Sequence, residues 1–166
     1  MAKTLAMIAG KDPLTMRGGH ASYVRAHAKA AVQAGFEPHI FCVSDQSSVL
    51  ETDFGVLHRV PSPFRPFRQI MVAGHAPLIT AGLERFLLNR QGPHLIHGFG
   101  LWGYIGVAAR HRLRQNRIEA VPITSCYTTY EHADPRQTSA PKLVTWLSMS
   151  FSYTAGPSIV FQSPPP

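Results

Sequence analysis

The sequence predicts an α/β protein built on a doubly wound, mainly parallel sheet. Three observations predict it. Short apolar runs alternate with helical segments along most of the chain. Residues 4–43 read as a complete βαβ unit. The glycine- and hydroxyl-rich turns follow strands, which puts them at one edge of such a sheet, where ligands of open α/β sheets bind.

The βαβ unit starts with the apolar run Thr4–Ala9, which ends at Gly10. A loop with Pro13 and the pair Gly18-Gly19 leads into a helical pattern over His20–Ala34. Val24, Ala28, Ala31 and Val32 share one face at i, i+4, i+7 and i+8, while Arg25, Lys29 and Gln33 suit a solvated side. Gly35 stands where a helix needs a left-handed residue to close. His39–Val43 is then a second buried strand. At a helix N-terminus the first N–H groups lack intrahelical partners, and glycine lets a phosphate, carboxylate or sugar hydroxyl come close to them. The pair fits neither G-x-G-x-x-G nor the phosphate loop G-x-x-x-x-G-K-[ST], so a purely turn-shaping role stays open.

Ser44–Thr52 is polar and reads as loop, and Gly55–Val60 as a third strand closed by Pro61. Pro61, Pro63 and Pro66 then bar regular structure. Within that stretch Phe64, Arg65, Phe67 and Arg68 interleave rings and guanidinium groups. This suits either an anionic membrane interface or a loop whose rings fold back onto the core. Gln69–Arg90 reads as helix interrupted near Pro77, with Ile79, Leu83, Phe86 and Leu87 as its buried stripe. His94–His97 is a fourth strand running into the glycine-rich turn Gly98–Gly103. The helix Gly103–Gln115 follows, with Ile105, Ala109 and Leu113 buried and Arg110, Arg114 and Arg117 on another face. Ala120–Cys126 is a fifth strand that empties into Tyr127–His132, a run rich in hydrogen-bonding side chains. A loop over Asp134–Pro141, a helix over Lys142–Ala155 and a strand over Ser158–Gln162 complete the reading, before a proline tail at 164–166.

Composition sets the outer limits. A chain of 166 residues with 45% hydrophobic and 15% charged residues can bury one core and is not a disordered chain. No apolar run approaches the roughly 20 residues that cross a bilayer as a helix. Cys42 and Cys126 fall in predicted strands without any metal-binding spacing. They read as reduced core residues of a cytosolic protein, and no metal site is expected. The formal charge of +7 suits an anionic partner (lipid, nucleic acid or a phosphorylated substrate), a solubilising charge excess, or a basic half whose acidic partner domain is missing. Nucleic acid is the weakest of these, because the arginines sit in a loop and a helix without a recognisable nucleic-acid module.

Taken together, these segments resemble the N-terminal domain of family-4 glycosyltransferases of the GT-B type, over residues 1–163. The resemblance lies in the delayed Gly18-Gly19, in YVRAHAKAAVQAGFEPHIF, in PHLIHGFGLWG, in VPITSCYTTYEH and in SIVFQS. It implies a Rossmann-like domain on the acceptor side of a cleft, facing a second domain that holds a nucleotide sugar. The implied reaction is sugar transfer with retention and without a metal, the nucleotide sugar being co-substrate and no further cofactor being needed. The acceptor would be a sugar or a lipid-linked sugar. The second, donor-holding domain is expected to be missing from these residues, so the chain alone is expected to fold but not to transfer. A non-catalytic sugar- or phosphate-binding half domain is the alternative. Gly18, Gly19, His20, His97, Tyr127 and Glu131 are the candidates for contact with acceptor or donor. One departure concerns chemistry: Cys126-Tyr127 stands where many members carry a histidine, and Tyr127 does not easily act as a base near neutral pH. The expected setting is the cytoplasm, at the inner face of the membrane.

Overall fold

The computed structural model describes residues 3–62, 72–90, 94–126 and 159–161. Seven strands form one sheet in the order β3-β4-β2-β1-β5-β6-β7. They are β1 (Lys3–Ile8), β2 (Phe36–Ser44), β3 (Ser48–Thr52), β4 (Gly55–Pro61), β5 (His94–Phe99), β6 (Ala120–Cys126) and β7 (Ile159–Phe161). All neighbouring pairs are parallel except β3 with β4. The helices are α1 (Gly19–Gln33), α2 (Val72–Leu88) and α3 (Gly103–Gln115), the last preceded by a 3-10 turn at Gly100–Trp102. This is the mainly parallel, Rossmann-like half domain that the sequence predicts.

Alternation along β1 divides the core in two. Leu5, Met7 and Ala9 join Val24, Ala28 and Ala31 of α1 on one face of the sheet, with Ile40, Leu57 and Phe99. Ala6 and Ile8 join Ile79, Leu83 and Leu87 of α2 and Ile105, Ala109 and Leu113 of α3 on the other. The central strands are therefore apolar on both faces, as covered parallel strands must be.

Gly35 closes α1 with φ +80, as the sequence requires. Val32 does not join the buried stripe: at about 80° round from Val24 it lies at the stripe's margin and is half exposed. Arg25 is not solvated either, for a reason given below. α2 runs unbroken through Pro77, where the sequence predicts an interruption. A proline inside a helix costs about 3 kcal/mol. Burial of Ala76 before it and of Ile79, Leu83 and Leu87 after it outweighs that, at about 1.5–3 kcal/mol for each large side chain. Arg117 departs from Arg110 and Arg114, because α3 has ended and Arg117 takes φ +60. Its N–H bonds the carbonyl of Arg114, and that of Ile118 bonds the carbonyl of Leu113. This is a Schellman closure with Ile118 packed against the core.

Ser44–Thr52 is corrected from loop to strand over its second half. Residues 48–52 alternate between half-buried and exposed and return along β4 as an antiparallel hairpin. Thr52 Oγ1 donates to the Gly55 carbonyl at 2.6 Å and accepts from Phe54 N–H at 3.3 Å, which sets the turn. Phe54 is buried beneath it. The expected segments at Tyr127–His132, Asp134–Pro141 and Lys142–Ala155, and the basic loop, lie outside the described residues. Cys42 is a buried free thiol, pushed up to about 12 mainly by burial, and is inert there.

Candidate functional site

The chain leaves β1 through α1 to β2 on one side, and later returns through α2 to β5 on the other. β1 and β5 therefore flank the topological switch point, where the loops beyond their carboxyl ends part and leave a crevice. Gly18 ends the loop after β1 and Gly19 opens α1, while Gly98, near the end of β5, leads through Gly100–Trp102 to Gly103 at the start of α3. The sequence-predicted residues His20 and His97 are joined there through Phe99. Its ring meets His20 edge-on at 6.3 Å and His97 at 4.3 Å between centroids.

The two glycines of the pair play different parts. Gly18 caps α1 with φ 119 and ψ 175, a conformation open essentially to glycine alone. Gly19 opens the helix at an ordinary φ, and no heavy atom lies within 4 Å of the place its Cβ would take. Gly18 is thus needed by the backbone, and Gly19 leaves free space over the first turn of α1. Lys11 and Arg17, both exposed, flank that turn and add positive charge to the helix end.

His97 pairs in register with Met7 of β1 and Ile123 of β6, so on β5 it sits between two strands. Its Nε2 lies 2.7 Å from Ser125 Oγ. Burial, with help from His27, lowers its pKa to about 4, so the ring is neutral near pH 7. His27 meets it edge-on at 5.7 Å and donates Nδ1–H to the Tyr23 carbonyl at 3.0 Å, the only role open opposite a carbonyl. His20 is likewise lowered, first by burial and then by Lys11. The rings behind this edge are largely buried, Phe99 wholly and His97 nearly so, with Lys11 and Arg17 exposed beside the glycine loop. The half-buried His20 and the open space over Gly19 are the parts of this edge that a ligand can reach, and the helix end suits an anion. Tyr127 and Glu131 lie outside the described residues.

Sequence reasoning missed Ser125, His27 and Phe99, and two groups that shape the loops. Trp102 lies over Gly10, where any Cβ would strike its indole, and stacks on His75 at 6.3 Å and 8°. Asp12, only 8% exposed, accepts Arg59 Nε at 2.8 Å and Arg59 Nη2 at 2.7 Å. A glycine facing a tryptophan 92 residues away leaves no local signal, and neither does an ion pair 47 residues apart.

A second histidine cluster stands away from this edge, near the starts of β2 and β4. His39 Nδ1 lies 3.0 Å from His58 Nε2, and His39 Nε2 lies 3.0 Å from Glu37 Oε1. Glu37 also holds Arg90 at 3.0 Å. With both rings neutral, as their lowered pKa values favour, His39 gives Nε2–H to the carboxylate and His58 gives Nε2–H to His39.

A search of curated proteins returns no match. The sequence model of Glycosyltransferase Family 4 matches residues 17–164. The matched span opens at Arg17, on the glycine loop itself, and takes in every strand after β1. Matched over most of its length, the chain belongs to glycosyltransferase family 4.

Proposed function

We propose that this chain is the acceptor-side half of a GT-B enzyme that moves a sugar from a nucleotide sugar to a sugar or lipid-linked acceptor. Retention of configuration and independence of metal belong to the same reading, as does a separate domain to hold the donor. The observation that carries it is the family match over 17–164 together with the loops of β1 and β5 meeting at the switch point. Gly19 gives the ligand room at the end of α1. His97 is a neutral ring that bonds a hydroxyl rather than a base, since its lowered pKa leaves it little proton affinity at pH 7. A non-catalytic sugar- or phosphate-binding domain stays the alternative, since the family match speaks to kinship and not to turnover.

The test is ligand titration followed by NMR, using a nucleoside diphosphate and simple sugars as probes. Shifts concentrated at Gly18, Gly19, His20 and His97 support the reading. Gly19→Val should weaken binding by roughly tenfold or more by blocking the free N–H groups, with an unchanged melting temperature because its Cβ meets nothing. Gly18→Val should instead lose about 1–3 kcal/mol of stability from its strained backbone. Binding retained by Gly19→Val would remove the glycine loop from the site.

The loop with Phe64, Arg65, Phe67 and Arg68 is proposed to meet an anionic membrane surface. Among the described residues no helix is long and apolar enough to cross a membrane. The chain should sediment with anionic vesicles and not with neutral ones. Arg65→Glu with Arg68→Glu should release it, each cation contributing about 1 kcal/mol near such a surface. Equal sedimentation with both vesicle types would point to a loop packed on the core.

A further inference from the structure

The loop between β1 and α1 is ten residues, Ala9 to Gly18, with Gly18 at its end, yet it is tied at three points. Asp12 Oδ1 accepts Leu14 N–H at 2.8 Å, and the Asp12 carbonyl accepts Met16 N–H at 3.0 Å. Arg25, from the second turn of α1, donates to the Pro13 carbonyl at 2.8 Å and reaches Ser22 Oγ at 3.3 Å. This is why Arg25 is half-buried rather than solvated. The third tie is the longest in reach. Arg59 stands on β4, which is separated from β1 by β2, and places both Nε and Nη2 on Asp12 Oδ2. A fork of two N–H groups on one carboxylate oxygen fixes position and direction, and Asp12 is nearly sealed from water, so screening is weak.

We propose that Asp12, clamped by Arg59, is a positioning residue for the glycine loop. It holds the stretch from Lys11 to Arg17 over the end of β2, and so decides where the N–H groups of Gly18 and Gly19 are presented. A loop held in place before ligand arrives does not lose ordering entropy on binding. Asp12 and Arg59 bond each other and Asp12 bonds the loop backbone, so the effect passes through the loop. That the loop faces a ligand rests on the function proposed above; that it is clamped does not.

The test is hydrogen exchange on the ligand-free chain, comparing wild type with Asp12→Asn, Arg59→Met and Arg59→Lys. Amides from Leu14 to His20 should exchange roughly tenfold faster in Asp12→Asn and Arg59→Met, while Ile40 to Val43 in β2 keep their protection. Arg59→Lys, which keeps the charge, should restore the loop to within about threefold of wild type. Unchanged loop exchange in Asp12→Asn, or a rise spread evenly over β1, β2 and β5, overturns the proposal. If Asp12→Asn does not fold, the two Arg59 variants decide it: equal loop exchange in both overturns the clamp. Because no ligand is present, failure here leaves the proposed function standing. Failure of the ligand titration likewise leaves the clamp standing.

Discussion

Gly98→Ala should be among the most damaging small substitutions in the described fold. A Cβ at Gly98 would stand 2.4 Å from Gly103 Cα, 2.7 Å from Gly103 N and 2.8 Å from the Trp102 carbonyl oxygen. All three obstacles are backbone, so no side chain can turn aside, and the first turn of α3 has to lift off β5. Overpacking by one methyl group costs about 1–3 kcal/mol where side chains give way, so about 3 kcal/mol or more is expected where they cannot. A domain of this size then loses about 6–12 °C in melting temperature. Gly10→Ala is the instructive comparison. Its Cβ would lie closer still, at 1.8 Å, but to the indole of Trp102, a side chain that is only partly buried and able to swing. Thermal melting of both variants checks the argument. A loss of less than about 2 °C for Gly98→Ala would mean that α3 is not seated on β5 as described.

The second large effect is loss of stability in mild acid. Burial, with His39 and Arg90 adding to it, lowers His58 to about 4, and burial with His27 lowers His97 to about 4. Both start from 6.5 in the unfolded chain. The unfolded state therefore binds more protons between those values, so stability is full above pH 6.5 and falls as the pH drops toward 4. For His97 the shift corresponds to about 3 kcal/mol. His58 is more open to water and contributes less, of the order of 1–2 kcal/mol. His39 is lowered as well, by burial first and by Arg90, although Glu37 opposes the shift. For Glu37 itself burial pushes upward, but Arg90 and His39 outweigh it and hold the carboxyl below its ordinary 4.5. That adds a further loss only below that pH. Melting curves at pH 7.5 and 5 should differ clearly, before most carboxylates have titrated. His97→Gln keeps a partner for Ser125 without titrating, and should remove the larger share of the difference. A melting temperature that is flat from pH 7 to 5 would show that these rings are not held neutral.

The sequence by itself determined what depends on near neighbours. The apolar runs at Thr4–Ala9 and His94–His97 specify buried strands, the stripe Ile105, Ala109, Leu113 specifies the inner face of α3, and Gly35 specifies the end of α1. These features are written in the 2.0 and 3.6 residue periods that each element needs. Right-handed crossovers then put the glycine-rich loops at one edge of the sheet. Only the tertiary structure decided which strands lie side by side, and so that β1 and β5 bound the crevice. It decided that residues 48–52 pair with β4, where a polar lead-in hides the alternation. It separated Gly18, held at φ 119, from Gly19, which has open space above it. Asp12 with Arg59, His97 with Ser125 and His39 with His58 stand 47, 28 and 19 residues apart in the chain. Each pair meets because of strand order and register, and neither quantity leaves a period in the sequence around the residues concerned.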